Sequence, residues 1–359
     1  MTDPSPHSDR AQRTQSRFMR ALRREPVDRT PIWLMRQAGR YLPEYLATRA
    51  QAGDFLTLAN TPEWACEVTL QPIRRYGFDA SILFSDILIL PHVMGLGLSF
   101  KPGEGPVFER TIDQPADVLQ LPTPDPMVET LPVMQAVKLI RRELPTDTPL
   151  IGFAGSPWTV ATYMIEGGSS KTFAKARRFL LQQPEAADQL MQHLAQCTSE
   201  YLLAQVEAGA DALMLFDSWG GVLSPSLFER FSLAGMRRIV QNVHAQHAKI
   251  PIILFAKGCA FHLEALANTG CQCLGVDWTT SLSDARRRVG NRVALQGNLD
   301  PVVLTAPPDV IERAAIDTLN DFGAGPGHIF NLGHGITPDV PPEHVQVLVD
   351  AVRQHRQSN

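Results

Sequence analysis

Short runs of apolar or β-branched residues, each closed off by turn residues, recur along the chain and alternate with longer stretches of three-to-four-residue periodicity. The runs are Ile32 to Met35, Ala80 to Phe84, Leu150 to Ala154, Ala212 to Phe216, Ile252 to Ala256, Cys273 to Val276, Val293 to Gln296 and Ile329 to Leu332. They read as strands. Helical stretches lie between them: Thr61, Pro62 and Glu63 open one, and Ser224, Pro225 and Ser226 open another, each with a capping residue before a proline. Further helical stretches span Val128 to Glu143, Thr172 to Ala208, Leu263 to Asn268, Leu282 to Val289, Asp309 to Phe322 and Pro342 to Arg353. Strands that alternate with helices pair in parallel through crossovers, and eight such units close a (β/α)8 TIM-type barrel. An open doubly wound sheet is the other arrangement, but the first strand lacks the GxGxxG turn of its dinucleotide-binding version.

No internal repeat or linker divides the chain. The expected organisation is an α/β fold: a polar tail over residues 1–16, then a single (β/α)8 catalytic domain over residues 17–359. The composition agrees. The 359 residues are 44% hydrophobic and 19% charged, which excludes disordered, collagen-like and coiled-coil chains. A formal net charge of −4 argues against a general binder of nucleic acid or of anionic membranes. Five scattered cysteines fit a reducing, cytoplasmic compartment better than a disulfide scaffold. No run reaches the roughly 18 apolar residues that cross a membrane.

In a barrel of this kind the active-site cleft opens at the C-terminal ends of the strands. Just past the eight proposed strands stand Arg36, Asp86, Ser156, Ser218, Lys257, Asp277, Asn298 and His334. The segment PIWLMRQAGR, residues 31–40, carries Arg36 and Arg40, and Arg49 follows it. Three guanidiniums near one strand end suit several carboxylates, each taken by a bidentate fork. They would equally suit surface pairing with Glu44 or Asp54. Asp86 stands inside an apolar segment, where an acid is either satisfied by N–H donors or held for a positive charge. In GFAGSPWTVATYMIEG, residues 152–167, Tyr163 is expected in the loop or first turn over the barrel mouth, as a hydroxyl donor or as packing. Asp217, Ser218 and His334 do not amount to a hydrolase triad, since no GxSxG elbow accompanies them. Cys259, Cys271, Cys273 and His262 lack the spacing of a zinc site and read as buried thiols.

PIWLMRQAGR and GFAGSPWTVATYMIEG, with FSDIL, LFDSWGG, LQGNLDP and NLGHGI, closely resemble the uroporphyrinogen decarboxylase family, over essentially the whole chain after the tail. The resemblance implies a homodimeric (β/α)8 enzyme without metal or organic cofactor. Its substrate would be uroporphyrinogen III, whose four acetates become methyls, giving coproporphyrinogen III on the way to haem and chlorophyll. Carried over by motif, Arg36, Gln37, Ala38, Gly39 and Arg40 form the substrate-binding loop. Asp86 is the central carboxylate, and Arg49, Tyr163, Ser218 and His334 contact substrate. The substrate's eight carboxylates account for the arginines, and its four pyrrole N–H groups for one carboxylate in an apolar cleft. The proton donor is open among Arg36, Tyr163, His334 and water. Two other readings stand beside this one: a zinc-dependent corrinoid methyltransferase of related fold, and a non-catalytic tetrapyrrole carrier.

Overall fold

The computed structural model describes residues 12–101 and 105–355. Nine strands occur among them: β1 (Ser81–Ile82), β2 (Leu98–Lys101), β3 (Gly105–Phe108), β4 (Leu150–Gly155), β5 (Ala212–Asp217), β6 (Ile252–Ala256), β7 (Cys273–Gly275), β8 (Ala294–Leu299) and β9 (His328–Leu332). Seven build one curled, all-parallel sheet in the order β1-β4-β5-β6-β7-β8-β9. Chain order equals spatial order, as right-handed crossovers through outer helices require. The apolar runs explain this core: β4, β6, β7 and β9 are buried at every position, since a parallel sheet covered by helices has no wet face. β2 and β3 form a separate antiparallel hairpin that the apolar pattern did not announce.

The first expected strand, Ile32–Met35, is not a ladder strand. Ile32 makes a single parallel bridge to Phe330 of β9, and Phe330 N donates to Pro31 O at 2.8 Å. On its other side Asp79 N donates to Ile32 O, and Ile32 N donates back to the Asp79 carboxylate, both at 2.9 Å. Arg17 and Arg29 hold that carboxylate at 2.7 and 2.8 Å. A side chain therefore does there what a neighbouring strand does elsewhere, which is why the local pattern reads as a strand and the backbone does not become one.

Two long helical stretches are interrupted. Thr172 to Ala208 divides into Ala174–Gln182 and Pro184–Ala208, because Gln183 precedes a proline and leaves the helical region. Val128 to Glu143 divides at Thr130 into Pro126–Glu129 and Leu131–Glu143. Leu282–Val289 keeps its expected limits, with Ser281 capping Asp284 N at 3.1 Å. Of the expected polar tail, residues 1–11 lie outside the described residues; Arg13 pairs with Asp211 at 3.0 Å, and Ser16 caps the helix Arg17–Leu22. Among the described residues no helix is long and apolar enough to cross a membrane.

Candidate active site

The polar residues at the strand ends fall into two groups. Ser156, Asp277 and Asn298 are turned inward. Ser156 caps the helix Pro157–Glu166 and donates to Asp217 at 2.9 Å. The Asp277 carboxylate accepts from Gly258 N and Thr279 N, while Asn298 Nδ2 donates to the carbonyls of Asp277 and Thr280. These three stitch the strand ends together. Arg36, Asp86, Ser218, Lys257 and His334 stay at least partly open to solvent at the same end of the sheet.

Arg36 follows the bridged segment and takes a left-handed backbone, φ 62°, which costs a residue with a Cβ about 1 kcal/mol. Its loop is anchored from the opposite edge. Met35 N donates to Asn331 Oδ1 at 2.9 Å, Ile336 N donates to Met35 O at 3.0 Å, and Trp33 Nε1 donates to Gln296 Oε1 at 2.9 Å. Gly335 lets the guanidinium arm pass, since a Cβ there would stand 2.7 Å from Arg36 Cγ and 2.9 Å from Nε. Gln37 points away from the cleft. It is wholly buried, and its amide accepts from Leu34 N and donates to Ala80 O, so the side chain braces the loop. The N–H groups of Ala38, Gly39 and Arg40 find no acceptor among the described residues.

The surface pairing that the three arginines could have made does not form. Glu44 is taken by Arg75 at 2.7 and 2.8 Å, and Asp54 caps Thr57 N at 2.9 Å. Arg36, Arg40 and Arg49 have no carboxylate within ion-pair distance among the described residues. Arg40 and Arg49 both act on the Tyr45 phenol, which packs edge-on to Phe84, two residues before Asp86.

Asp86 accepts Leu88 N at 2.8 Å on Oδ1. Burial among apolar side chains pushes its carboxyl up to about 6, against the pull of that N–H and of Arg36. Burial, with Arg36 and Lys257 beside it, pushes the His334 imidazole down to about 4, so it is neutral at ordinary pH. Arg36 thus acts electrostatically on Asp86, His334 and Tyr163 alike. Tyr163 is not in a loop or first turn: it is the seventh residue of the helix Pro157–Glu166, buried to 9% exposure. The helix is buried on every side, so no amphipathic stripe announced it. Its phenol accepts from Trp219 Nε1 at 3.1 Å, which brings Trp219, next to Ser218 in the LFDSWGG motif, beside Tyr163, although the sequence singled it out for no role.

Asp217 has no part in a triad with Ser218 and His334. It is wholly buried and accepts from Ser156, Thr159 and Ser232. The thiols of Cys259, Cys271 and Cys273 are pushed up by burial, and His262 stacks on Phe228 and bonds Pro225 O. No group of three His, Cys, Asp or Glu side chains able to hold a metal occurs among the described residues.

Three arginines without carboxylate partners and one buried, costly carboxylate are thus left at this end of the sheet. Comparisons with known proteins identify the family. Residues 13–355 match the family model described as "Uroporphyrinogen decarboxylase (URO-D)". The chain is 59% identical over 340 residues to a protein named uroporphyrinogen decarboxylase from Alkalilimnicola ehrlichii, covering 94% of this chain and 93% of that one. It is 57% identical to the protein of that name from Escherichia coli O1:K1, covering 94% and 96%. Among solved structures, a methyltransferase from Methanosarcina mazei superposes with a TM-score of 0.79 at 23% identity over 96% of this chain and 98% of that one, which shows a shared fold. The chain belongs to the uroporphyrinogen decarboxylase family.

Proposed function

We propose that the chain is a carboxy-lyase acting on uroporphyrinogen III, converting its four acetates to methyls and releasing four carbon dioxide. Asp86 is the observation that carries the reading: a carboxylate is kept in an apolar cleft at a cost that a substrate cation can repay. Its position also allows it to accept from the pyrrole N–H groups of a folded macrocycle. Protonation of a pyrrole on carbon makes its nitrogen an electron sink. The C–CO2 bond then breaks toward the ring, and net, one proton replaces each carbon dioxide. The pyrrole performs the task a cofactor performs in other decarboxylases, and ionised Asp86 opposes the positive charge that develops.

Arg36, Arg40 and Arg49 take the substrate's carboxylates, with Ala38 and Gly39 lending backbone N–H groups and Gln37 bracing the loop. Tyr163, Ser218 and neutral His334 offer hydrogen bonds. Arg36 anchors the reacting acetate, and it, Tyr163, His334 or water delivers the proton. The site implies a single domain over residues 17–359 in which the segment at Ile32 occupies the eighth position of a (β/α)8 barrel. The bridge from Ile32 to Phe330 and its two bonds with Asp79 support that closure. The family resemblance further supports a cytoplasmic homodimer. Phe261 and Trp278, exposed on segments that follow β6 and β7, offer it apolar surface.

Anaerobic incubation with uroporphyrinogen III, followed by chromatography of the oxidised products, tests the reading. Coproporphyrin is expected, and its absence would overturn it.

A further inference from the structure

The hydrogen bond between Trp219 and Tyr163 fixes the direction of a proton. An indole nitrogen only donates, so the Tyr163 oxygen accepts at 3.1 Å, and the phenol's one proton must point elsewhere. The other polar groups that act on this phenol are Asp86 and Arg36. A guanidinium cannot accept; ionised Asp86 and the carboxylates of a bound substrate can do nothing else.

Trp219 is itself locked in place. Its backbone N–H donates to Thr159 Oγ1 at 3.2 Å, its carbonyl accepts Trp158 Nε1 at 2.9 Å, and its ring packs 4.6 Å from Phe173. Thr159 is free to accept because its own proton is committed to the buried Asp217 at 2.6 Å. Asp217 and Thr159 thus hold the Trp219 backbone, and the indole carries that fixed geometry to the phenol.

We propose that Trp219 is a positioning residue: its indole N–H occupies the acceptor side of Tyr163 and turns the phenolic proton toward Asp86 and the substrate's acids. The proposal rests on the reading that Tyr163 faces substrate. It assigns Trp219 no contact with the reacting atoms. Its effect passes wholly through the tyrosine.

That last property makes it testable by a double-mutant cycle. Trp219→Phe keeps an aromatic ring and removes the donor, and should lower kcat about threefold to tenfold with KM little changed. In a Tyr163→Phe background the same substitution should cost nothing further. An equal loss in both backgrounds would make Trp219 a packing residue and overturn the proposal. Should Trp219→Phe fold poorly, benzothienylalanine at 219 replaces only the N–H by sulfur within the same ring shape, with the same expectation. As an independent readout, 3-fluorotyrosine at 163 should titrate at higher pH by 19F NMR once the donor is gone, and an unchanged titration would overturn the proposal. Wild-type turnover in Tyr163→Phe would also overturn it. The decarboxylase reading would stand in that case, because it is judged on coproporphyrin formation by the unsubstituted protein.

Discussion

Replacing Asp86 by asparagine separates what the carboxylate does for the fold from what it does for the reaction. Burial raises its carboxyl from an ordinary value of 3.8 to about 6. An acid whose native-state value lies above its unfolded one withdraws stability as it ionises. The cost is absent at the acid end and complete above the native value, so it accrues between 3.8 and about 6. At about 1.4 kcal/mol per pH unit this amounts to about 3 kcal/mol, reduced toward about 1 kcal/mol by the solvent that reaches the cleft side. Asparagine is neutral at every pH and keeps an oxygen for Leu88 N. Equilibrium urea denaturation should therefore show Asp86→Asn more stable than the wild type by about 1–3 kcal/mol at pH 7.5, with the gap cut to about a third of that at pH 4.5. Decarboxylation should fall by at least about a hundredfold. A variant less stable at pH 7.5, or a gap independent of pH, would show that the carboxylate is a structural anchor instead. Near-normal turnover would refute its role against the developing cation.

The same ionisation should appear in the kinetics as an acid limb of kcat/KM near pH 6, lost activity lying on the acid side. His334→Gln should leave that limb where it is, since the imidazole is neutral down to about 4; a limb that moves would assign it to the histidine. Arg36→Gly should not lower the melting temperature, because glycine relieves the left-handed backbone, while activity falls at least about a hundredfold; clear destabilisation would refute the strain. Gly335→Ala should raise KM by about tenfold or more, through the Cβ driven against Arg36, and unchanged kinetics would show that the arm has another path.

What could be read in the sequence was what neighbours along the chain decide. The parallel strands β4, β5 and β6 announced themselves because LIGFA, ALMLF and IILFA are apolar throughout, and the proline-started helices because a cap and a proline sit side by side. Ile32–Met35 looked the same locally, but the N–H groups of Ile32 and Met35 go to the side chains of Asp79 and Asn331 instead of a neighbouring strand, which no periodicity reveals. Arg36, Asp86 and His334 were legible as polar residues past apolar runs. That Ser156, Asp277 and Asn298 at equivalent positions turn inward depends on carbonyls and carboxylates brought up by other strands. Tyr163 was found and its helix was not: the cap at Ser156 and the stop at Gly167 were present, but a helix buried all round has no polar face. Trp219 escaped because its partner lies 56 residues away.

The shape of the arginine loop is set by the far end of the chain. Met35 is held by a residue 296 positions later and Trp33 by one 263 positions later, and Gly335 and Ile336 complete the frame. During synthesis the loop therefore leaves the ribosome among the first segments and acquires its form among the last. A nascent or truncated chain ending before Asn331 carries every arginine of the motif but lacks the Asn331, Gly335 and Ile336 contacts that shape their loop.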